Sequence, residues 1–431
     1  MSGSHSEDDL LSTRVSEERV GDWQVLAAPM DVDSVVSIRG SFCTYPDFDA
    51  GEAVLQDLAV ALLDKGTRKR DRFKLAEVLD ESGAQVTIVS DALRVRFSVR
   101  TLVSALPRVI DVLGEELREP LFDPAEFEKA RAYVAAALQR EMESTAAQST
   151  SALTRLLYRR GHPNYVLSCG EALELLQGYR LEDVASFHQR RFAPTDATVV
   201  FCGDLKGVAV TDLVAETLTG WPQAPRTDVP SYGGILTVPA SDHVVVPDKS
   251  NTDVRLGHAL ELLRQDPDYV ALYAGNYVLG GNFSARLMSE IRDRMGLTYG
   301  IWSSLSNVNR LHGGHWVVGV TLSNENVQAG IDATRREMER FVTEGITADE
   351  LAEKQNTITG SFKVGLATTG GLALSLLYNA ERGFGVDYLD RFPSLVEALR
   401  VDEVNDVIRT HLNPAALSLA VAGPDSAPGV Q

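Results

Sequence analysis

The feature that most constrains this chain is that it is written twice. LEDVASFHQRRFAPTDATVVFCGD, Leu181 to Asp204, lines up with VDEVNDVIRTHLNPAALSLAVAGP, Val401 to Pro424, under a shift of 220 residues. Val184 meets Val404, Phe187 meets Val407, Phe192 meets Leu412, Pro194 meets Pro414, Val199 and Phe201 meet Leu419 and Val421, and Gly203 meets Gly423. Both copies read as helix, proline-marked turn, short strand and glycine turn. A second pair, LAEVLDESGAQVTI (Leu75 to Ile88) and LMSEIRDRMGLTYGI (Leu287 to Ile301), sets Glu77 over Glu290 and Gly83 over Gly296 at a shift of 213. Unequal shifts imply short insertions between matched elements.

The expected architecture is therefore α/β (α+β): two homologous domains of mixed, largely antiparallel sheet with flanking helices, related by internal duplication. The expected boundaries are a mobile tail over 1–20, a first domain over 21–219, an extended linker over 220–235, a second domain over 236–425 and a short tail over 426–431. The linker rests on GWPQAPRTDVPSYGG, rich in proline and glycine. In the first domain a strand pair, Val25 to Ala28 and Val35 to Gly40, precedes a helix from Gly51 to Lys65. Alternation in VTIVSDALRVRFSVR predicts an antiparallel pair with Val95, Phe97 and Val99 on one face. Pro124 suits the first turn of a helix running to Glu143.

Composition narrows the function. No apolar run reaches 18 residues, and the polar start MSGSHSEDDLLST carries neither a basic nor an apolar leader segment, so no membrane span is expected and a cytoplasmic location is. Sixty acidic against 41 basic residues give a net charge of -19, which repels nucleic acid. Cys43, Cys169 and Cys202 are too scattered for a disulfide framework or a metal knuckle and read as buried thiols. There is no P-loop, nucleotide-binding glycine fingerprint, GxSxG or HExxH. His312 and His315 in LHGGHWVV lack an adjacent acidic ligand, and His162 and His188 each stand alone, so all four read as structural. The basic run Arg68 to Lys74 reads as a solvated helix start, and Gly280 and Gly281 as a bend that lets backbones approach.

One segment is specific. DPDYVALYAGNYVLGGNFSARLMSEIRDRMGLTYGI, Asp266 to Ile301, resembles the second-domain signature of the pitrilysin and insulinase family, which includes the mitochondrial processing peptidase. The Lys65 to Thr67 tripeptide KGT, ESGAQ at Glu81 to Gln85 and the two proline-turn-strand repeats extend the resemblance over nearly the whole chain. It implies two similar α/β domains, in agreement with the repeat.

Active members of that family carry an inverted zinc motif, His-x-x-Glu-His, on the helix ending before KGT, two histidines binding zinc and the glutamate activating the metal-bound water. The corresponding residues here are Asp57, Val60 and Ala61, and the third ligand falls near Ala137. Valine and alanine offer no donor, and one aspartate cannot hold a catalytic zinc that needs three protein ligands. No metal or cofactor is thus expected in this chain.

The resemblance also implies roles for Arg292 and Tyr299, seven residues apart, which match an arginine and tyrosine that reach the substrate at the zinc site of active enzymes. A tyrosine hydroxyl can donate to the oxyanion formed at a peptide carbonyl, and an arginine fork can bind substrate carbonyls. Gly296 is expected to end the helix of Arg292, with Tyr299 beginning a strand. From the residues alone, a surface salt bridge of Arg292 with Asp293 or Glu290 and a core role for Tyr299 stay open. The expectation is a zinc-less subunit of a heterodimeric endopeptidase that acts on short or unfolded peptides, its partner supplying His-x-x-Glu-His and the zinc. The alternative is an inactive peptide-binding or structural homologue.

Overall fold

The structure is a computed structural model that describes residues 10–44, 48–221 and 232–425. The chain forms two compact units. The first is built on six strands, β1 (Ser16–Val20), β2 (Trp23–Pro29), β3 (Val35–Cys43), β4 (Gln85–Ser90), β5 (Arg94–Leu102) and β6 (Thr195–Gly203), in the order β1-β2-β6-β3-β5-β4. Every pairing is antiparallel except β2 with β6. The second has five, β7 (Ser241–Val245), β8 (Asn251–Ala259), β9 (Thr298–Ser306), β10 (His315–Ser323) and β11 (Ser418–Gly423), in the order β7-β11-β8-β10-β9. Only β7 with β11 is parallel. Without β1 the two orders are the same, so the duplicated sequence folds as a duplicated, mixed and largely antiparallel sheet.

Alternation explains the core of the first unit. Val95, Phe97 and Val99 point from β5 to the buried face, beside Trp23 in T-shaped contact with Phe42, Phe97 and Trp221. Buried aromatics in such edge-on pairs combine a large apolar burial with favourable ring electrostatics. The helix Ala50–Leu62, capped by Asp49, buries Val54, Leu55, Leu58 and Ala59, and Leu63–Lys65 continues it as a 3₁₀ turn. The expected first strand pair is corrected: β6 lies between β2 and β3, because the last strand of the repeat returns to the sheet centre.

The compact units are not two contiguous stretches. The first comprises Met1–Ala136, Leu173–Ser231 and Phe362–Phe392, the second Ala137–Ala172, Tyr232–Ser361 and Pro393–Gln431. Helix Thr369–Glu381, from the second copy, packs Leu372, Ala373, Leu376 and Leu377 on Leu26, Ala28, Val200 and Cys202 of the first sheet. Helix Thr145–Leu157, from the first copy, packs Ala152, Leu153 and Leu157 on Val317 and Ala420 of the second. The division by duplication and the division by packing therefore differ, since each copy gives one helix to the other's sheet.

Within the span read as a mobile tail, residues 16–20 are a strand paired with β2, and Leu11 and Ser12 donate backbone N–H bonds to the Asp390 carboxylate. Ser16 to Arg19 are polar because this is a solvent-covered edge strand, and such a strand shows no apolar alternation. Residues 1–9, 222–231 and 426–431, which hold the remainder of that span, most of the linker and the final tail, lie outside the described residues.

Candidate functional site

The Arg292 and Tyr299 region is assembled in the second unit on one sheet edge. Helix Tyr269–Gly280 runs up to β9, and a methyl on Gly280 would fall 2.4 Å from the Ser303 nitrogen, so only glycine allows this approach. The following loop is pinned from beneath. Lys354, with 2 % of its surface exposed, donates to Ser284 Oγ at 2.7 Å, to the Ser284 carbonyl at 3.2 Å and to Asn282 Oδ1 at 3.3 Å. Arg286 forks onto Glu350 with both bonds at 2.6 Å. Burial raises the Glu350 pKa, but Arg286 and the Thr347 N–H outweigh it and hold the carboxyl at about 2.

On this base Phe283 stands 79 % exposed, with the Arg292 guanidinium 5.8 Å from its ring centroid. Arg292 lies in a π-helical turn, Met288–Arg294, whose i+5 bond runs from the Met295 N–H to the Glu290 carbonyl at 3.1 Å. Such turns are frequent at functional sites. Gly296, at φ 66°, ends the turn with a bond from its N–H to the Arg292 carbonyl at 3.0 Å. Its repeat counterpart Gly83 has φ 55°.

Tyr299 is the extra residue of a β-bulge. Gly300 pairs with Thr321 and Thr298 with Leu322, so Tyr299 has no residue opposite it on β10. Thr298 Oγ1 fixes the irregularity, donating to the Thr321 carbonyl at 2.5 Å and accepting from the Gly300 N–H at 3.0 Å. Bulges re-aim side chains, and this one leaves Tyr299 96 % exposed at the free edge of the sheet. A core role is thereby excluded. The Arg292 salt bridge is weak, its guanidinium 3.9 Å from Asp293 with Arg292 partly and Asp293 mostly exposed. Arg292 and Tyr299 thus come from adjoining elements of the second unit.

The degenerate positions lie elsewhere. Asp57 is exposed on helix Ala50–Leu62 and accepts from Ser90 Oγ at 2.9 Å. Val60 and Ala61 are half-buried on the last turn of that helix, and Ala137 lies on helix Pro124–Met142. These residues do not fit a zinc ion. Among the described residues no group of three or more His, Cys, Asp or Glu is placed to hold a metal.

His162 does not stand alone. Its ring stacks on Tyr158 at 4.3 Å and meets His312 edge-on at 5.1 Å, while Tyr158 Oη bonds His315 Nδ1 at 3.0 Å. Burial drives His162 and His315 down to about 4, and the neighbouring histidines add to it. This is a packed cluster in the second unit in which His162 and His315 are held neutral. Cys169 and Cys202 are buried and Cys43 partly so. The basic run begins helix Arg72–Glu81 under an Asp71 cap, but Arg70 is anchored on Glu115 and on Asp111. Phe283 and Lys354 escape the sequence reading. The one local signal was an aromatic residue set directly after the glycine bend.

Comparison with known proteins follows the same lines. Residues 59–169 match the model described as Insulinase (Peptidase family M16), and residues 179–358 the Peptidase M16 inactive domain. The non-peptidase homolog YmxG of Helicobacter pylori is 22% identical over 377 residues, covering 86% of this chain and 85% of that protein. An uncharacterized zinc protease of Streptomyces coelicolor is 25% identical, covering 84% of this chain and 79% of its own. A crystal structure of a peptidase M16 inactive domain from Pseudomonas fluorescens superposes with a TM-score of 0.84 at 21% identity, over 95% of this chain and 98% of that one. A protease from Helicobacter pylori gives 0.82 at 17%, over 95% and 99%.

Proposed function

The chain belongs to the insulinase family of peptidases, M16, as an inactive-type homologue, and we propose that it is the zinc-less subunit of a heterodimeric endopeptidase. A partner subunit of the same family carries His-x-x-Glu-His, binds the zinc and performs the attack. This chain contributes Arg292 and Tyr299. The supporting observation is a contrast of preservation: the metal-ligand positions Asp57, Val60, Ala61 and Ala137 hold no set of donors, whereas Tyr299 is turned out by a locked bulge beside an arginine with only a weak ion pair.

In that role the tyrosine hydroxyl donates to the oxygen of the scissile carbonyl as negative charge develops on it. Arg292 holds a neighbouring substrate carbonyl through its fork of donors, and Phe283 offers an apolar face for a side chain. Substrates are short or unfolded peptides, and the location is cytoplasmic. No helix among the described residues is long and apolar enough to cross a membrane.

A second reading is a peptide-binding or structural homologue without a catalytic partner, favoured by the words "inactive domain" and "non-peptidase" attached to its relatives. Mixing the purified chain with a family subunit bearing His-x-x-Glu-His separates the two. Under the first reading the chain alone carries no stoichiometric zinc, and the mixture cleaves an unstructured peptide that neither subunit cleaves alone. Failure of every such partner to yield hydrolysis favours the second.

A further inference from the structure

The duplication supplies an internal comparison. Strand register superimposes β3 and β5 on β8 and β10, because Arg39 faces Ser98 as Arg255 faces Gly319, and Ile38 faces Phe201 as Val254 faces Val421. Ser37 then corresponds to Asp253 and Arg100 to Thr321, since each pair is itself opposed. Through β4 and β9, Thr87 corresponds to Trp302.

In the second unit this face is self-satisfied. Arg255, 6 % exposed, lies 3.4 Å from Asp253 Oδ1, donates to the Val254 carbonyl and covers the Trp302 ring at 5.4 Å. The Asp253 carboxylate also accepts from Thr145 Oγ1 and Thr321 Oγ1, both at 2.7 Å.

In the first unit the same positions are left open. Serine replaces the aspartate, and Ser37 Oγ meets Thr369 Oγ1 at 2.8 Å. Threonine replaces the tryptophan, and a second guanidinium, Arg100, replaces the threonine. Arg39 has a buried Nε with no hydrogen-bond partner. Neither Arg39 nor the exposed Arg100 has an acidic partner among the described residues. Ser98 and Gln85, which face them, and Thr87, which faces Ser98, are uncharged. The nearby acids are engaged: Glu381 and Asp91 by Arg96, and Asp196 by Arg94. A methyl on Gly370 would lie 3.9 Å from both Arg39 Nη2 and Ser37 Oγ, so the guanidinium abuts the positive end of helix Thr369–Glu381. Two like partial charges in contact gain from an anion between them.

We propose that this face of the first unit binds a carboxylate, which occupies the place that the Asp253 carboxylate fills in the second unit. Arg39 and Arg100 clamp it, with the Ser37 and Thr369 hydroxyls as further donors. The source is a peptide carboxylate, either an acidic side chain or the chain terminus, and this source alone rests on the peptide-handling reading above.

The test uses the full chain without any partner, so loss of hydrolysis in mixed subunits and loss of this site are separate results. The probe is a dansyl-labelled, unstructured Gly/Ser peptide ending in two glutamates, compared with its C-terminally amidated form and its glutamine form. The acidic peptide binds, and Arg39→Gln, Arg100→Gln and Ser37→Asp each weaken it by roughly tenfold or more, the scale of a hydrogen-bonded charge. Loss of binding on amidation assigns the site to the terminal carboxylate, and loss on glutamine replacement assigns it to side chains. Ser37→Asp, which restores the built-in partner of the second unit, also raises Tm. Equal binding of a peptide lacking every carboxylate, unchanged affinity in both arginine variants, or a lowered Tm in Ser37→Asp overturns the proposal.

Discussion

Tyr299 and the buried histidines take opposite courses with a polar side chain. The tyrosine is turned into solvent and carries no packing duty, so Tyr299→Phe is expected to leave stability within about 0.5 kcal/mol, as surface substitutions do. A urea midpoint shifted beyond that would make it structural. His162, His188 and His315 are each lowered from 6.5 to about 4, burial being the first cause in every case. Above pH 6.5 they are neutral folded or unfolded, and their contribution is complete. Between 6.5 and about 4 the unfolded chain takes up protons that the folded chain refuses, so stability falls as pH falls. Urea midpoints measured from pH 7 to 4.5 are expected to decline through that window, with a shallower decline in His162→Phe. That variant is also about 1–3 kcal/mol less stable at pH 7, because the Asn164 N–H loses its acceptor at His162 Nδ1. A flat profile above pH 4.5 would contradict the neutral-cluster reading.

Among the elements, a left-handed glycine and a bulge present the site. Gly296→Val forces a β-branched residue into φ 66° and is expected to cost about 1–3 kcal/mol. Amide exchange in β9 should rise with it, and unchanged protection of β9 would show that the turn does not hold the strand. The glycine was legible in the sequence, since it follows a charged helical stretch and repeats at Gly83. The helix end and the strand start at Thr298 follow from it. The bulge was not legible, because Thr298 fixes it through one carbonyl on β10, a contact distant in sequence. Nor was the pin under Phe283, because Lys354 lies 70 residues from Ser284 in the chain. The strand β1 was missed for a different reason, its side chains being exposed on both faces.

For the whole molecule, sequence self-similarity revealed the duplication, but not that each copy lends a helix to the other's sheet. Apolar periodicity says that Leu372, Leu376 and Leu377 share a face, and not which sheet they cover. A fragment of residues 1–221 is accordingly expected to leave Leu26, Ala28, Val200 and Cys202 uncovered, to bind a hydrophobic dye and to aggregate. A monomeric, cooperatively folding fragment would show that helix Thr369–Glu381 is dispensable to the first sheet. The catalytic division of labour has a more direct test. In the complex with a His-x-x-Glu-His subunit, kcat for an unstructured peptide is measured with wild-type chain and with Tyr299→Phe, assembly being checked in both. The expected result is intact assembly with kcat lowered by a factor on the order of 10². An unchanged kcat in the assembled variant would contradict the catalytic role of this chain.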